Sequence, residues 1–320
     1  MTEIVGHGEV IWGLHSGLVS GQWPHAYLFS GPPGVGKATV AHHYAQSLLC
    51  EHTLRGEEGL SGCQRCPSCH KVDTRCHADL IWVEMVEKKT RISVDQIRDL
   101  TRFLSLTPME SKWKVAIVDD AAEMNAAAAN ALLKTLEEPP AESILILITS
   151  RPGMLLATIR SRCVKYHFRS LSRDEFGRIL QSRTELPEGR LDPLWEYAEG
   201  NVGYGLQFIT SNQLEVCDQL VQDLEALMRQ FSLAKLCQTA DFWSKEDHFL
   251  LVRWIIGQWI AKRVRRSVLS GEGAEVVRRW LVLESLAKDF FARAEAYNIN
   301  KRLLLEGIFI KLSQTAGANP

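Results

Sequence analysis

Cys50, Cys63, Cys66 and Cys69 follow the spacing Cys-x12-Cys-x2-Cys-x2-Cys. Four thiolates suit a tetrahedral Zn²⁺, and gaps of two residues let successive cysteines grip one ion from a tight turn. Three cysteines so close together among polar residues would make a poor core. Four protein ligands leave no open position for a substrate, so the expected zinc is structural. Cys76, His70 and His77 stand as alternatives for the fourth ligand.

A second stretch points to phosphate. Gly31-Pro-Pro-Gly34-Val-Gly36-Lys37-Ala38 follows the apolar run Ala26–Phe29 and precedes a helical pattern. Glycines let a backbone curl its N–H groups towards phosphate oxygens, the helix adds its positive end, and a lysine reaches the outer phosphates. The last position departs from the pattern. A Ser or Thr hydroxyl there holds Mg²⁺, and Ala38 has only a methyl group. Downstream, Val115-Ala-Ile-Val118-Asp119-Asp120 delivers two carboxylates to the end of a strand, where such folds bind ligands. Asp119 is expected to hold Mg²⁺ or its water. Ser161-Arg162-Cys163 places a basic turn before another strand, a weak signal by itself.

Elements must bring these residues together. Apolar strands are expected at 25–30, 79–83, 113–118, 143–149 and 163–168, separated by helices at 39–49, 94–104 and 125–138. Strands alternating with helices mean a parallel α/β sheet. The run Ser143-Ile-Leu-Ile-Leu-Ile-Thr149 has the unbroken apolar character of a strand covered on both faces. After Phe168 only helices are expected, the last capped by Asn300 and running from 301 to 314. The expected layout is an α/β domain over 1–168 with a zinc module at about 50–70, a helical lid over 169–208, and a helical domain over 209–320.

Composition narrows the classes. A net charge of −1 excludes a whole-chain basic field. No apolar run approaches the roughly 20 residues of a membrane span. The first residues carry no charged-then-apolar signal pattern, and a cytoplasmic location is expected. Eight cysteines in such a compartment argue for metal or core use over disulfides.

Taken together, these motifs resemble the clamp-loader branch of the AAA+ ATPases, and within it the δ′ (delta prime) class of bacterial replicative loaders. The most specific match is Asn125-Ala-Ala-Ala-Ala-Asn130-Ala-Leu-Leu-Lys-Thr-Leu-Glu-Glu-Pro-Pro140. The close match covers about 25–170. The resemblance implies a P-loop sheet domain, a lid and a C-terminal collar. It implies nucleotide contacts at Gly31, Gly34, Gly36, Lys37, Asp119, Asp120 and Thr149, the last at the family's sensor position. It implies that Arg162 acts in trans as an arginine finger on a neighbour's ATP. The implied partners are γ/τ and δ subunits in a hetero-pentameric ring that loads the sliding β clamp onto primed DNA. Asp120 stands where active relatives have Glu, and Gly200-Asn-Val-Gly-Tyr204 lacks the lid arginine that senses the γ-phosphate. With Ala38, these departures imply a stator with little or no ATPase of its own, and leave ATP and Mg²⁺ binding open. Two other readings compete. One is an active, γ-like AAA+ ATPase, with Thr39 replacing Ala38 as metal ligand although it sits about 100° further round the helix. The other is a zinc-dependent DNA-binding protein that uses the basic stretch 253–279, with Trp254 and Trp259 interleaved; helix packing explains those tryptophans better.

Overall fold

The computed structural model describes residues 4–21, 23–52, 62–86, 91–186, 189–211, 213–297 and 299–315. The N-terminal signal reading at 1–3 and the middle of the zinc module, 53–61, lie outside the described residues. The chain divides into two compact units, Met1–Pro187 with Gly200–Tyr204, and Glu188–Glu199 with Gly205–Pro320. The segment expected as a lid, 169–208, is thus shared between the two units.

The first unit contains α1 (Gly8–Ser20), β1 (Ala26–Ser30), α2 (Lys37–Leu49), α3 (Pro67–Asp73), β2 (Leu80–Val83), α4 (Val94–Leu104), β3 (Lys114–Val118), α5 (Ala126–Glu137), β4 (Ser143–Thr149), α6 (Ala157–Arg160), β5 (Val164–His167) and α7 (Arg173–Gln181). The five strands form one sheet in the order β2-β3-β4-β1-β5, parallel throughout. Parallel strands are covered on both sides, and alternation along each strand divides the core. Tyr27, Phe29, Val115, Ile117, Ile144 and Ile146 pack with Val40, Ala41 and Tyr44 of α2. Ala26, Leu28, Ala116, Val118, Leu145 and Leu147 pack on the other face with Ile97, Leu100, Leu132 and Leu136 of α4 and α5. Each buried Val, Leu, Ile or Phe among them contributes about 1.5–3 kcal/mol relative to exposure. β5, at the edge, is largely exposed.

Helix starts follow local chemistry. Ser93 and Gln96 form a capping box at α4, as do Ser172 and Glu175 at α7. Asn125 Oδ1 accepts from Ala128 N at 2.8 Å and starts α5. Pro139 and Pro140 follow two residues after its end, as proline commonly does beyond a helix.

The second unit is helical: α8 (Leu191–Ala198), the larger part of α9 (Val202–Thr210), α10 (Leu214–Arg229), α11 (Leu233–Trp243), α12 (Glu246–Leu269), α13 (Ala274–Tyr297) and α14 (Lys301–Thr315). Asn300 caps α14, its Oδ1 accepting from Arg302 N at 3.0 Å. Leu220, Leu224, Leu236, Trp243, Ile256, Ile260, Leu305 and Phe309 form its buried interior. Trp254 donates its indole N–H to Tyr197 O at 2.7 Å, and Trp259 is 8% exposed. Both tryptophans therefore serve packing. No helix among the described residues is long and apolar enough to cross a membrane.

Candidate nucleotide-binding edge and metal centre

The strand order places β1 between β4 and β5, while the next strand in sequence lies at the far edge. The crevice at such a reversal, beyond the carboxyl ends of the strands, is where open α/β sheets receive ligands. Register brings the expected residues to it. Ser30, the last residue of β1, pairs with Thr149, the last of β4, and Val118, just before Asp119, pairs with Leu147. The structure thus gathers Gly31, Gly34, Gly36, Lys37, Asp119, Asp120 and Thr149 at one edge of the sheet.

The loop between β1 and α2 has left-handed backbone at Gly34 (φ 67°) and Gly36 (φ 103°). Gly34 is tightly enclosed: a Cβ there would lie 1.8 Å from Asn201 Oδ1. Asn201 is a clasp. Its amide donates to Pro33 O at 2.7 Å, and its Oδ1 accepts from Tyr204 N at 3.0 Å. His7 also bonds the loop, Nε2 to Val35 O at 2.7 Å. Lys37 is 7% exposed, and its ammonium donates to the loop carbonyls of Gly31, at 2.8 Å, and Pro32. Burial lowers this ammonium to about 8, against the pull of the Asp119 and Asp120 carboxylates.

The carboxylates are half-buried. Burial pushes both above the ordinary carboxylate range, and the charge of Arg151 opposes it at Asp120. Asp120 holds a left-handed backbone (φ 55°), and its Oδ1 is buried with no hydrogen-bond partner among the described residues. Thr149 Oγ1 accepts from Arg151 N at 3.0 Å, and Arg151 ion-pairs with Glu123. The arrangement can present backbone N–H groups and two acids to a polyphosphate, and Lys37 only once it leaves the carbonyls of Gly31 and Pro32. Position 38 supplies no oxygen to a metal.

Arg162 follows α6, which ends at Arg160, and stands apart from these groups in the sequence of elements. Its guanidinium pairs with Glu137 Oε1 at 2.8 Å and donates to Thr158 O at 3.0 Å, with the side chain about one-third exposed. It is held at the surface by two contacts and does not join the crevice chemistry through any of them.

The four cysteines come together. Cys50, Cys63, Cys66 and Cys69 place their sulfurs within 4.8 Å of one another. The Cys50–Cys66 and Cys63–Cys69 separations are 3.8 Å and 4.0 Å. A tetrahedron with Zn–S bonds of about 2.3 Å has edges of about 3.8 Å, so the donor set fits zinc. Backbone N–H groups of His52 and Cys63 point at Cys50 Sγ, and those of Cys66 and Cys69 at the sulfurs of Cys63 and Cys66. Backbone N–H bonds, that of Arg65 foremost, bring the Cys63 thiol down to about 6. Burial pushes Cys50 and Cys69 up, an opposition that a central cation removes. The other candidates do not join: Cys76 is exposed and donates to Thr74 O, and His77 is engaged by Ser68 Oγ and Asp79 N.

Three contacts were not legible in the sequence: the Asn201 clasp, the His7 contact and the Glu137–Arg162 pair. The Gly-Asn turn signals a helix cap at 201, yet its amide bonds a carbonyl 168 residues away.

Residues 6–172 match the family model described as DNA polymerase III, delta subunit. A Pseudomonas aeruginosa relative, DNA polymerase III subunit delta', is 39% identical over 165 residues, 52% of this chain and 48% of that protein. The Escherichia coli DNA polymerase III subunit tau is 34% identical over 228 residues, 68% of this chain and 34% of that protein. The chain thus spans about half the length of the first and about a third of the second. A solved structure of a DNA polymerase III gamma subunit-related protein from Thermotoga maritima aligns over 96% of this chain and 99% of its own, with a TM-score of 0.43 at 19% identity. The matched segment holds the phosphate loop, both acids, the cysteine cluster and Arg162, and the chain belongs to the DNA polymerase III delta-subunit family, within the clamp-loader group whose motifs it carries.

Proposed function

We propose that this chain is a δ′-type clamp-loader subunit, a stator in a hetero-pentameric ring with γ/τ and δ subunits. In this reading the ring loads the sliding β clamp onto primed DNA in the cytoplasm. The chain donates Arg162 to the ATP site of a neighbouring γ/τ subunit, and its own ATPase is absent or slight. A helical lid at 169–208 and a collar at 209–320 belong to the same proposal, as does a structural Zn²⁺ on Cys50, Cys63, Cys66 and Cys69.

The observation that carries the stator reading is the state of the phosphate loop. The cradle of Gly31, Gly34 and Gly36 is kept, but Lys37 is spent on the carbonyls of Gly31 and Pro32. Asn201 bonds the loop at Pro33 O, and Ala38 offers no metal ligand. Arg162 is partly exposed on the surface, where a partner's phosphate can replace Glu137. An arginine supplied in trans is worth about 10³–10⁵ in turnover at the site it serves. The test is to assemble the ring with Arg162→Ala and to measure DNA-dependent ATPase and clamp loading. Loss of one γ/τ site's turnover is expected, and unchanged activity would refute the assignment. ATP turnover by the purified chain, abolished in Lys37→Ala, would favour the γ-like alternative.

A further inference from the structure

The helical unit contains an open groove of about 540 Å³ whose lining includes four arginines. Arg229 comes from the end of α10, Arg263 and Arg266 from the last part of α12, and Arg279 from the second turn of α13. Glu272 is the acid among them. Arg229 pairs with Glu225 at 3.4 Å and Arg279 with Glu275 at 3.6 Å, exposed contacts that a competing anion displaces at little cost. Arg263 lies over the Trp259 ring at 5.3 Å. Neither Arg263 nor Arg266 has a carboxylate at ion-pair distance among the described residues. The helix macrodipole accounts for Arg229 and Arg266, which sit in last turns. It does not account for Arg263 or for Arg279, which lies near a helix start.

We infer that this groove takes the phosphodiester backbone of a single nucleic-acid strand, without reading its bases. Guanidinium forks match phosphate oxygens two at a time. Arg263 and Arg266, at i and i+3 on one helix, are about 5–6 Å apart at Cβ, a spacing that serves successive charges along a strand. The aromatic groups cannot stack bases. Trp280 is 6% exposed and Trp259 8% exposed, and the two rings pack edge to face at 6.0 Å. Stacking platforms need open ring faces, so recognition rests on charge and is sequence-tolerant. An acidic protein segment would also meet the arginines, but tight protein contacts centre on a pocket for an apolar anchor, and Trp280 already fills the apolar floor of this groove. The inference concerns the chain alone and stands apart from the stator reading.

The test uses the full chain and fluorescein-labelled dT20, followed by anisotropy between 50 and 200 mM salt. Four phosphate contacts on a single strand give a slope of log K against log salt of about −2.8, or about a 50-fold loss of affinity over that range. The Arg263→Gln/Arg266→Gln double variant is expected to bind more weakly and lose only about 7-fold over the same range. The double lysine variant should retain most of the slope, because it keeps the charge. Arg178→Gln/Arg183→Gln, two exposed arginines of the other unit, should bind as the parent does, and circular dichroism checks that each variant is folded. No binding at 50 mM salt, an unaltered slope in the double glutamine variant, or equal loss in the Arg178/Arg183 control would each overturn the inference. A glutamate 20-mer that binds as tightly as dT20, with the same dependence on Arg263 and Arg266, would overturn it in favour of an acidic protein partner.

Discussion

Replacing Asp79 by Asn removes one charge from the interior of the α/β unit and little else. Asp79 is fully buried at the entry to β2. Its carboxylate accepts from the backbone N–H groups of Met109, Glu110 and Ser111, each at 2.8 Å, and from Ser111 Oγ at 3.1 Å. Lys114, at the start of β3, pairs with it at 3.0 Å and is itself 2% exposed. Asp79 thus ties the 109–111 turn and β3, the strand that delivers Asp119, to β2. Burial alone would raise its pKa, but the three backbone donors and Lys114 outweigh burial and hold it well below the ordinary carboxylate range. An asparagine keeps the shape but turns an acceptor into a donor facing N–H groups, and leaves the buried Lys114 ammonium without its carboxylate, held by Ala78 O at 3.2 Å and the Phe103 ring at 4.3 Å. Breaking one side of a buried pair costs about 3–5 kcal/mol. At about 2–4 °C per kcal/mol for a unit of this size, the melting temperature should fall by on the order of 10 °C. Urea unfolding of Asp79→Asn, Lys114→Met and the double variant forms the assay, with the double variant less destabilised than the sum of the single ones. The pH dependence has a definite sign. A depressed folded pKa gives stability that is fully present above the unfolded value of about 3.9 and is lost as pH falls below it towards the folded value. The parent should therefore weaken below about pH 4 more steeply than Asp79→Asn. A loss under about 1 kcal/mol, or parallel acid curves, would refute the ion-pair argument.

Other outcomes follow from the same structure. The purified chain should carry about one zinc per molecule, and Cys66→Ser should lose it along with local protease resistance around α3, since structural zinc contributes folding free energy; metal analysis and limited proteolysis check both. Gly34→Ala should destabilise by more than about 1 kcal/mol, from its left-handed backbone and the collision with Asn201; adding Asn201→Ala should relieve the collision but not the backbone strain, so partial recovery is expected in thermal unfolding. Lys37 titrates at about 8 when folded and near 10.4 when unfolded. The folded state holds fewer protons between those values, so stability should rise across that window. Lys37→Met should abolish that rise in urea titrations at pH 8 and pH 10.

Periodicity was enough to read the sheet. Val94–Leu104 and Ser143–Thr149 were legible to the residue because a capping box starts the helix and an unbroken apolar run makes the strand. α3 was missed: its seven residues hold four polar side chains, a proline and one cysteine, too few apolar positions to show a period. α6 was missed because four residues cannot show one either. The candidate nucleotide edge was legible as residue types, since glycine, lysine and aspartate at strand ends have few other uses together. What was not legible is how the edge is occupied. Lys37 turning onto Gly31 O depends on local loop geometry, and the Asn201 clasp depends on a chain return that no local pattern encodes. The Glu137–Arg162 pair is equally remote, because α5 and α6 must first pack before a glutamate from one meets an arginine after the other.

The brief return of Gly200–Tyr204 to the α/β unit has a topological consequence. The polypeptide passes between the two units three times, so neither unit is a continuous length of chain. A protein truncated after Pro187 would keep every strand of the sheet yet leave Pro33 O without its donor and Gly34 without its neighbour. Exchanging the helical unit between relatives therefore also exchanges or severs a piece of the phosphate loop's surroundings, and the cut that preserves the loop falls after Tyr204.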